Sequence, residues 1–481
     1  MTFLKVAKVS TLAMILLPLV AISNEQNRIT TVVSAAPTNI KSAPSKLSKR
    51  LLVSKAPEAD SIDGAHILLV NDVDSSTPKH SFLLLSKPRT YHEAAAACQS
   101  MFDSVFLYVP GSPAAAELNL LLKNNAIAQA EVAASTNFWV LNVVAGIECM
   151  SLNKVTDKTE SLSCNTELPV ICVNSAPRRT LNVQEATRQV AVKTAVSTIQ
   201  GFRDQNSFWF LGIHYAEAPV ANLRFAAPVA KVPFKSTLDA TAFGAQADED
   251  CLNLNVFTPS LKSRTQKGLP VMVRGSTILF EPGNLVSRGG VVVVTINYRL
   301  GLLGFTENPA FSRSDIPGNL AIHDTILALR WVKDHIANFG GDPSEVTVFG
   351  ESAGAVTIRA LLSALSSWDL YSNVISQSDP SDIPFKSAQD AANLSTYFFE
   401  ALNCGATDLV FARSKSITEI LAAQGLANNK MLVEQNWTTI GLVERPAVDG
   451  TLIPGEFSDL VKSGKFNLKA NIMWSTTKDE A

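Results

Sequence analysis

Residues 350–354 read Gly-Glu-Ser-Ala-Gly, a pattern that places a serine between two glycines at the spacing of a nucleophilic turn. The apolar residues 346–349 before it predict a strand, and residues 355–365 after it predict a helix. A sharp turn between them would expose the Ser352 hydroxyl, and the glycines would let strand and helix approach where a Cβ would clash. We therefore interpret Ser352 as a nucleophile for acyl transfer. The alternative is an ordinary serine on a glycine-rich turn.

The elements that must hold such a turn are indicated on its N-terminal side. Residues 269–273 and 291–296 are continuous apolar runs, typical of strands that are buried on both faces of a largely parallel sheet. Residues 322–337 have apolar side chains at helical spacing, and Gly340 and Gly341 follow as a stop signal. Strands that alternate with helices in this way predict an α/β fold.

Further short motifs occur in order along the second half of the chain. They are FLGIHYAEAP (210–219), NLRF (222–225), EDCLNLNVFTP (249–259), VVVVTINYRLGLLGF (291–305), ALRWV (328–332), FGGDP (339–343), GESAG (350–354), SQSD (376–379), AVDG (447–450) and TKDE (477–480). In content and order these motifs resemble the type-B carboxylesterase and cholinesterase family. The resemblance covers a little over half of the chain and implies an α/β-hydrolase domain over residues 190–481.

The resemblance implies the hydrolysis of a small-molecule carboxylic ester, with no metal and no other cofactor. Such a reaction needs a nucleophile, a base, an acid that orients the base, and N–H donors for the oxyanion. Ser352 matches the family's nucleophile, and the N–H of Ala353 matches one of its oxyanion donors. Glu480, in a Lys-Asp-Glu stretch, matches its acid.

No histidine in the sequence matches the family's base. All six histidines precede Ser352, whereas the family's histidine follows the acid. His214 stands where the family usually has proline, and His335 is predicted to face solvent on the helix that leads into the strand before Ser352. Neither is a convincing base.

The oxyanion segment departs from the family as well. After the strand at residues 269–273 the family has His-Gly-Gly-Gly or a close variant, whereas this chain has Arg-Gly-Ser-Thr at residues 274–277. Loss of one oxyanion donor typically costs on the order of 10²–10³ in rate. The prediction is a C-terminally truncated esterase domain, hence an incomplete sheet, with impaired activity. The alternative is a catalytically inactive, cholinesterase-like binding or adhesion protein.

Four of the six cysteines lie between residues 98 and 172, and an even cluster of this kind predicts a disulfide framework with three pairings open. A helix-like run at 91–98 and strand-like runs at 138–140 and 168–172 give residues 61–176 a layout that resembles a C-type lectin-like domain. This resemblance implies a small α+β domain with the pairs Cys98–Cys172 and Cys149–Cys164. The calcium and sugar signatures of that family are absent, so calcium-dependent sugar binding is not expected.

The remaining two cysteines match family positions whose partners are not cysteine here. Cys251 and Cys404 are therefore predicted to be free and buried.

The N-terminus predicts secretion. Lys5 and Lys8 precede a short apolar run, so residues 1–23 are interpreted as a signal peptide; an uncleaved amphipathic helix is the alternative. Residues 24–60 are rich in Ser, Thr, Ala, Pro and Lys and predict a linker or propeptide. An extracellular location permits disulfides.

Composition agrees with a folded enzyme or binding protein. The chain has 481 residues, of which 46% are hydrophobic and 17% charged, as in globular proteins. A net charge of −2 gives no basic field, so nucleic acid is not an expected partner. No later segment is long and charge-free enough to predict a membrane span.

Overall fold

The structure of the protein is a computed structural model. It describes residues 64–69, 79–125, 128, 135–141, 149–178, 188–195, 197–232, 236–244, 248–261, 267–275, 282–308, 311, 314–405, 408–434 and 443–478. The predicted signal peptide, the predicted linker and the candidate acid Glu480 therefore lie outside the described residues. The described residues from 64 to 477 belong to a single structural unit.

The N-terminal part of this unit is built on a six-stranded sheet with the strand order β1-β2-β6-β3-β4-β5. Its elements are β1 (Ala65–Leu69), β2 (Ser81–Arg89), α1 (Tyr91–Ser100), α2 (Pro113–Asn124), β3 (Asn137–Val140), β4 (Met150–Asn153), β5 (Lys158–Ser161) and β6 (Leu168–Val173). The runs that predicted a helix at 91–98 and strands at 138–140 and 168–172 lie within α1, β3 and β6.

Two disulfides hold this small sheet. Cys98 on the buried side of α1 is bonded to Cys172 of β6, and Cys149 is bonded to Cys164. These are the two pairs that the lectin-like resemblance implies. A capping box starts α1, because Thr90 and Glu93 satisfy each other's backbone N–H groups at the first turn.

The rest of the unit is built on a ten-stranded sheet in which β7 pairs with β8 beside the main order β10-β8-β9-β11-β13-β12-β14-β15-β16. Its elements are β7 (Gln189–Lys193), β8 (Thr198–Arg203), β9 (Phe208–His214), β10 (Thr237–Asp239), β11 (Asn253–Thr258), β12 (Leu269–Gly275), α3 (Gly283–Gly289), β13 (Val292–Ile296), α4 (Gly301–Phe305), α5 (Leu320–His335), β14 (Gly341–Glu351), α6 (Ala353–Ser363), β15 (Asn373–Gln377), α7 (Ala388–Ala401), α8 (Leu409–Ser414), α9 (Ile417–Glu434), α10 (Phe457–Lys462) and β16 (Asn471–Ser475). Short 3₁₀ turns lie at Ala221–Leu223, Ile336–Phe339 and Leu365–Ser367.

Strands β13, β12, β14, β15 and β16 run parallel to one another, and helices connect them, as the alternation of patterns predicted. One face of these strands carries the core. Val273, Val294 and Val348 are buried there against α5 and α6, which contribute Ile326 and Ile358 to the same hydrophobic cluster.

On the opposite face of the sheet, the burial of β12 side chains differs from the sequence-based prediction. All five residues of β13 are buried, as expected for a strand covered on both faces. In β12, Leu269, Met272 and Arg274 are only half-buried, so the prediction of burial on both faces is wrong for residues 269–273. The apolar pattern reports what a strand prefers, whereas cover of the second face depends on other elements. Met272 packs against a small cluster that contains Val286 of α3 and Val293 of β13, but it stays partly exposed. Met473 of β16, on the same face, is 61% exposed.

Both helices next to the candidate serine start two residues before their predicted starts. The helix predicted at 322–337 is α5, which begins after Asn319 in a left-handed conformation and passes into a 3₁₀ turn at Ile336. The helix predicted at 355–365 is α6, whose first residue directly follows Ser352.

The two sheets share one hydrophobic cluster. It joins Leu83 and Trp139 of the small sheet to Phe208 and Val256 of the large one. Backbone hydrogen bonds also join them, because the Ile67 N–H donates to the Pro259 carbonyl at 2.8 Å and the Leu261 N–H donates to the Ala65 carbonyl at 2.9 Å. Residues on either side of position 177 therefore pack as neighbours within one unit.

A buried ion pair lies at a second point between the sheets. Nη2 of Arg203, at the end of β8, is 2.5 Å from Oδ2 of Asp103, and both side chains are almost fully buried. The same nitrogen donates to the Met101 carbonyl at 2.9 Å, and the other Asp103 oxygen accepts from the Ser175 N–H at 3.0 Å. Burial lowers the pKa of Arg203, and Asp103 opposes that shift.

Candidate active site

Ser352 lies on the turn between β14 and α6, at the carboxyl end of a central parallel strand. Its backbone has φ 55° and ψ −115°, a conformation that residues with a Cβ rarely adopt and that costs on the order of 1–3 kcal/mol. The Ser352 N–H donates to the Gln377 carbonyl at the end of β15, at 3.1 Å. The side chain is exposed. Strand, strained turn and helix therefore present this hydroxyl to solvent at the end of the sheet.

The two glycines of the turn differ in what surrounds them. A Cβ on Gly350 would lie 2.7 Å from the backbone carbonyl carbon of Gly354, so this position requires glycine. A Cβ on Gly354 would meet no described atom within 4 Å. Glycine was predicted to avoid a clash at both positions. This prediction is correct for Gly350 and wrong for Gly354, because only the Cβ position of Gly350 points at backbone atoms.

The first turn of α6 supplies N–H groups next to the serine. Among the described residues, neither the Ala353 N–H nor the Gly354 N–H has a hydrogen-bond acceptor. N–H groups at a helix start carry partial positive charge and suit an oxyanion. Ala353 is thus placed where the family resemblance put one oxyanion donor.

The segment that should supply further donors begins after β12. Arg274, near the end of that strand, lies over the ring of Phe349 at 5.3 Å, and its charge is close to that of Glu351. Burial lowers the pKa of Arg274, and Glu351 opposes this shift. Residues 276–281 lie outside the described residues, so the candidate segment is described only up to Gly275.

None of the six histidines forms a hydrogen bond with Ser352, although all six are among the described residues. His214 Nδ1 lies 3.4 Å from an Asp250 oxygen. His323, on α5, is half-buried, and burial lowers its pKa while Asp324 opposes the shift. The structure therefore brings no base to the candidate nucleophile from this set.

His335 differs from its prediction. It was expected to face solvent, but it is half-buried and its ring lies 5.0 Å from the ring of Trp331. Burial lowers its pKa, and Asp334 opposes that shift. The contact arises because Trp331 and His335 are one helical turn apart on α5, so the indole covers the imidazole.

Sequence reasoning missed a buried ion pair directly behind the serine. Arg359, on the second turn of α6, has its Nε 3.1 Å from Oδ1 of Asp379, which follows β15 by two residues. The two side chains are 3% and 0% exposed. In the sequence analysis, Asp379 appeared only as the last residue of the SQSD motif, and Arg359 only as part of the helix predicted at residues 355–365. The sequence offers no local signal for this pair, because its two residues lie in different elements.

The loop after β15 ends at a lysine that is fully buried. Nζ of Lys386 donates to the Phe305 carbonyl at 3.4 Å, and its backbone pairs with residues 446–448. Desolvation, with a smaller effect from Arg445, lowers the pKa of Lys386 from 10.5 to about 8. The folded chain thus holds a buried ammonium group at neutral pH with one long hydrogen bond.

Replacing this lysine is expected to stabilise the protein and to change its pH dependence. An unfolded lysine keeps its proton to about pH 10.4, whereas the folded group loses it above about 8, so the free energy of unfolding of the wild-type chain rises with pH between these values, by about 3 kcal/mol. In Lys386→Met this rise disappears, and below pH 8 the variant is the more stable protein. Chemical denaturation from pH 6 to 10.5 measures both effects. The exposed Lys465→Met is the control, and identical pH profiles for Lys386→Met and wild type would contradict the expectation.

No metal-ligand cluster accompanies the site. In the described ranges no three His, Cys, Asp or Glu side chains come together in a way that could hold a metal ion. Cys251 is half-buried and Cys404 is buried, and both are free thiols. The helices that the structure describes also include none with the length and hydropathy needed to cross a bilayer.

Comparison with known proteins decides the family. The model of the carboxylesterase family matches residues 188–481, more than half of the chain. The chain belongs to the carboxylesterase family. The match contains the whole turn around Ser352 and the strands that hold it.

Carboxylesterase relatives include the para-nitrobenzyl esterase of Bacillus subtilis (strain 168), which is 32% identical in an alignment of 321 residues that covers 61% of this chain and 63% of that protein. Gut esterase 1 of Caenorhabditis briggsae is 33% identical in an alignment of 304 residues that covers 56% of this chain and 51% of that protein. Among solved structures, a thermophilic PNB esterase superposes with a TM-score of 0.54 at 30% identity, covering 60% of this chain and 63% of the esterase. The large sheet is therefore an α/β-hydrolase sheet, and the chain spans half to just under two thirds of the length of these carboxylesterases.

Proposed function

We propose that this carboxylesterase-family chain hydrolyses small-molecule carboxylic esters with Ser352 as its nucleophile, and that the 481-residue chain by itself does so poorly. The observation that carries the proposal is the strained turn at Ser352, which exposes a hydroxyl at the start of α6, beside two N–H groups for which the described residues supply no acceptor. This arrangement suits attack on an acyl carbon and stabilisation of the resulting oxyanion.

The expected weakness of the activity has a separate basis. A serine hydroxyl stays protonated near neutral pH unless a base accepts its proton, and none of the six histidines contacts Ser352. Glu480 remains the proposed acid on the strength of its motif alone, and the diglycine donors of the family have no counterpart in the sequence at 274–277.

Covalent labelling tests the nucleophile. A fluorophosphonate probe transfers its phosphonyl group to a reactive serine and releases fluoride. We expect slow labelling that peptide mass spectrometry locates at Ser352, that is absent in Ser352→Ala, and that is lost in the heat-denatured chain. Equal labelling of Ser352→Ala would reject Ser352 as the nucleophile.

A second candidate function is a catalytically inactive, cholinesterase-like binding or adhesion protein. The absence of a histidine contact at Ser352 favours it, since a binding role needs no base. In that case the native wild-type chain would take up no more probe than Ser352→Ala.

The remaining features are proposed on sequence grounds. Residues 1–23 would act as a signal peptide for secretion, and an extracellular environment would preserve the bonds Cys98–Cys172 and Cys149–Cys164. Residues 61–176 form a C-type lectin-like module without its calcium signature. The ester is a small molecule, and the name of the Bacillus subtilis relative makes a para-nitrobenzyl ester a reasonable first substrate.

A further inference from the structure

The Ser352 turn is held from two directions, and both supports meet at one buried ion pair. From the strand side, the Ser352 N–H is fixed by the Gln377 carbonyl, which belongs to the last residue of β15. From the helix side, Ser352 is the residue that immediately precedes α6. A backbone with φ 55° persists only where its surroundings impose it, so the elements that carry these two supports determine the position of the hydroxyl.

The chain beyond Gln377 turns sharply towards α6. Ser378 has φ 47°, and its N–H donates to the Ser475 carbonyl of β16 at 2.8 Å. The next residue is Asp379, whose carboxylate is fully buried and faces the guanidinium of Arg359. Neither Asp379 oxygen has a directed hydrogen bond in the described residues, so the 3.1 Å contact with Arg359 is ionic.

Arg359 binds the same loop at several points. Its Nη2 donates to the Pro380 carbonyl at 3.3 Å and to the Ile383 carbonyl at 3.0 Å. The guanidinium also lies over the ring of Phe385 at 5.4 Å. Arg359 of α6 thus contacts the segment from Asp379 to Phe385 through an ion pair, two backbone carbonyls and an aromatic ring.

These contacts and the chain segments between them form a closed ring of interactions. It runs from the Ser352 N–H to the Gln377 carbonyl, along the chain to Asp379, across to Arg359, and back along α6 to Ser352. If the ion pair is broken, the loop and the helix can separate, and the carbonyl that holds the Ser352 N–H moves relative to the Ala353 N–H.

We propose that Arg359 and Asp379 are positioning residues for Ser352. The pair touches no substrate; it fixes the distance between the loop that orients the serine backbone and the helix that supplies the oxyanion donor. This inference rests on the proposed role of Ser352 as the nucleophile.

The test compares the rate of fluorophosphonate labelling in wild type, Arg359→Met, Arg359→Lys and Asp379→Asn. The control is Arg203→Met, which also removes an arginine from a buried ion pair but lies on β8, five strand steps from β14, or about 24 Å at ~4.8 Å per step. We expect Arg359→Met and Asp379→Asn to label at least tenfold more slowly than wild type. Arg359→Lys keeps the charge and should recover part of the rate, whereas Arg203→Met should label within about twofold of wild type even though it loses more thermal stability.

Hydrogen exchange of the peptide that contains Ser352 is a second readout that needs no reactivity. Exchange at the Ser352 amide is expected to accelerate in Asp379→Asn and not in Arg203→Met. If wild type takes up no label, the nucleophile assignment fails, and hydrogen exchange alone decides the positioning role. The inference is overturned if Asp379→Asn and Arg359→Met match Arg203→Met in labelling rate, or, where no label is taken up, in exchange at the turn.

Discussion

The purified 481-residue chain is expected to turn over a p-nitrophenyl ester far more slowly than ordinary enzymes, which work at about 1–10³ s⁻¹. Ser352 is exposed on a suitable turn, but no histidine accepts its proton, so its hydroxyl stays a weak nucleophile. A missing oxyanion donor would add a loss on the order of 10²–10³. Together the two deficits leave a rate several orders of magnitude below the family's chemistry.

Addition of imidazole to the assay tests this expectation more specifically. Because imidazole is the group that is missing, it should raise the hydrolysis rate of the wild-type chain above that of Ser352→Ala measured at the same imidazole concentration. The variant also corrects for direct hydrolysis of the ester by imidazole. Fast turnover without imidazole that disappears in Ser352→Ala would show that the chain contains a base the described residues do not reveal.

Removing the buried arginine between the two sheets is expected to give the largest loss of stability. In Arg203→Met the Asp103 carboxylate remains buried without its partner, and breaking such a pair typically costs about 3–5 kcal/mol in the free energy of unfolding. Because both sheets share one hydrophobic cluster, they should unfold together, in one transition at a lower denaturant concentration.

A double variant tests the same ion pair with both of its charges removed. In Arg203→Met combined with Asp103→Asn, the amide oxygen still accepts from the Ser175 N–H and no charge is left buried, so the double variant should be more stable than Arg203→Met alone. Lys462→Met, which removes an exposed pair with Asp459, should change stability by less than about 0.5 kcal/mol. Two separate transitions in the wild-type chain, or an Arg203→Met variant as stable as Lys462→Met, would contradict this account.

Much of the large sheet could be predicted from local pattern. Residues 346–349 and 291–296 are rich in apolar and β-branched side chains, which favour a buried strand, and the structure places 346–349 in β14 and 292–296 in β13. The helix after Ser352 was predicted as well, apart from its ends. Helix ends depend on the conformation of single residues, here Ser352 and Asn319, which the apolar spacing does not report.

What the sequence could not predict depends on distant partners. Arg203 and Asp103 are about a hundred positions apart, and nothing near either residue indicates the other. Met272 is half-buried because it packs against the edge of the cluster that contains Val286 of α3, which the strand itself cannot show. Long-range contacts of this kind follow from topology, so they appear only once the strand order is known.

In the candidate site, too, some residues could be predicted from their neighbours in sequence, and others depend on distant contacts. Ser352 and Ala353 could be proposed from the sequence because the turn that holds them depends on neighbours in sequence, a strand before and a helix after. Arg359 and Asp379 were missed because their role depends on β15 returning beside β14, twenty residues further along the chain. A base would be a third such long-range partner, and motif spacing alone did not supply one.

The unequal surroundings of Gly350 and Gly354 bear on how distant relatives of this turn are recognised. The geometry excludes a side chain at position 350, where a Cβ would meet backbone, whereas at 354 no atom of the described residues would obstruct one. A pattern that demands glycine at both ends therefore imposes a restriction that the folded turn does not. Searches that accept any small residue two places after the serine, while keeping the glycine two places before it, would match the steric rule of this turn more closely than the five-letter motif does.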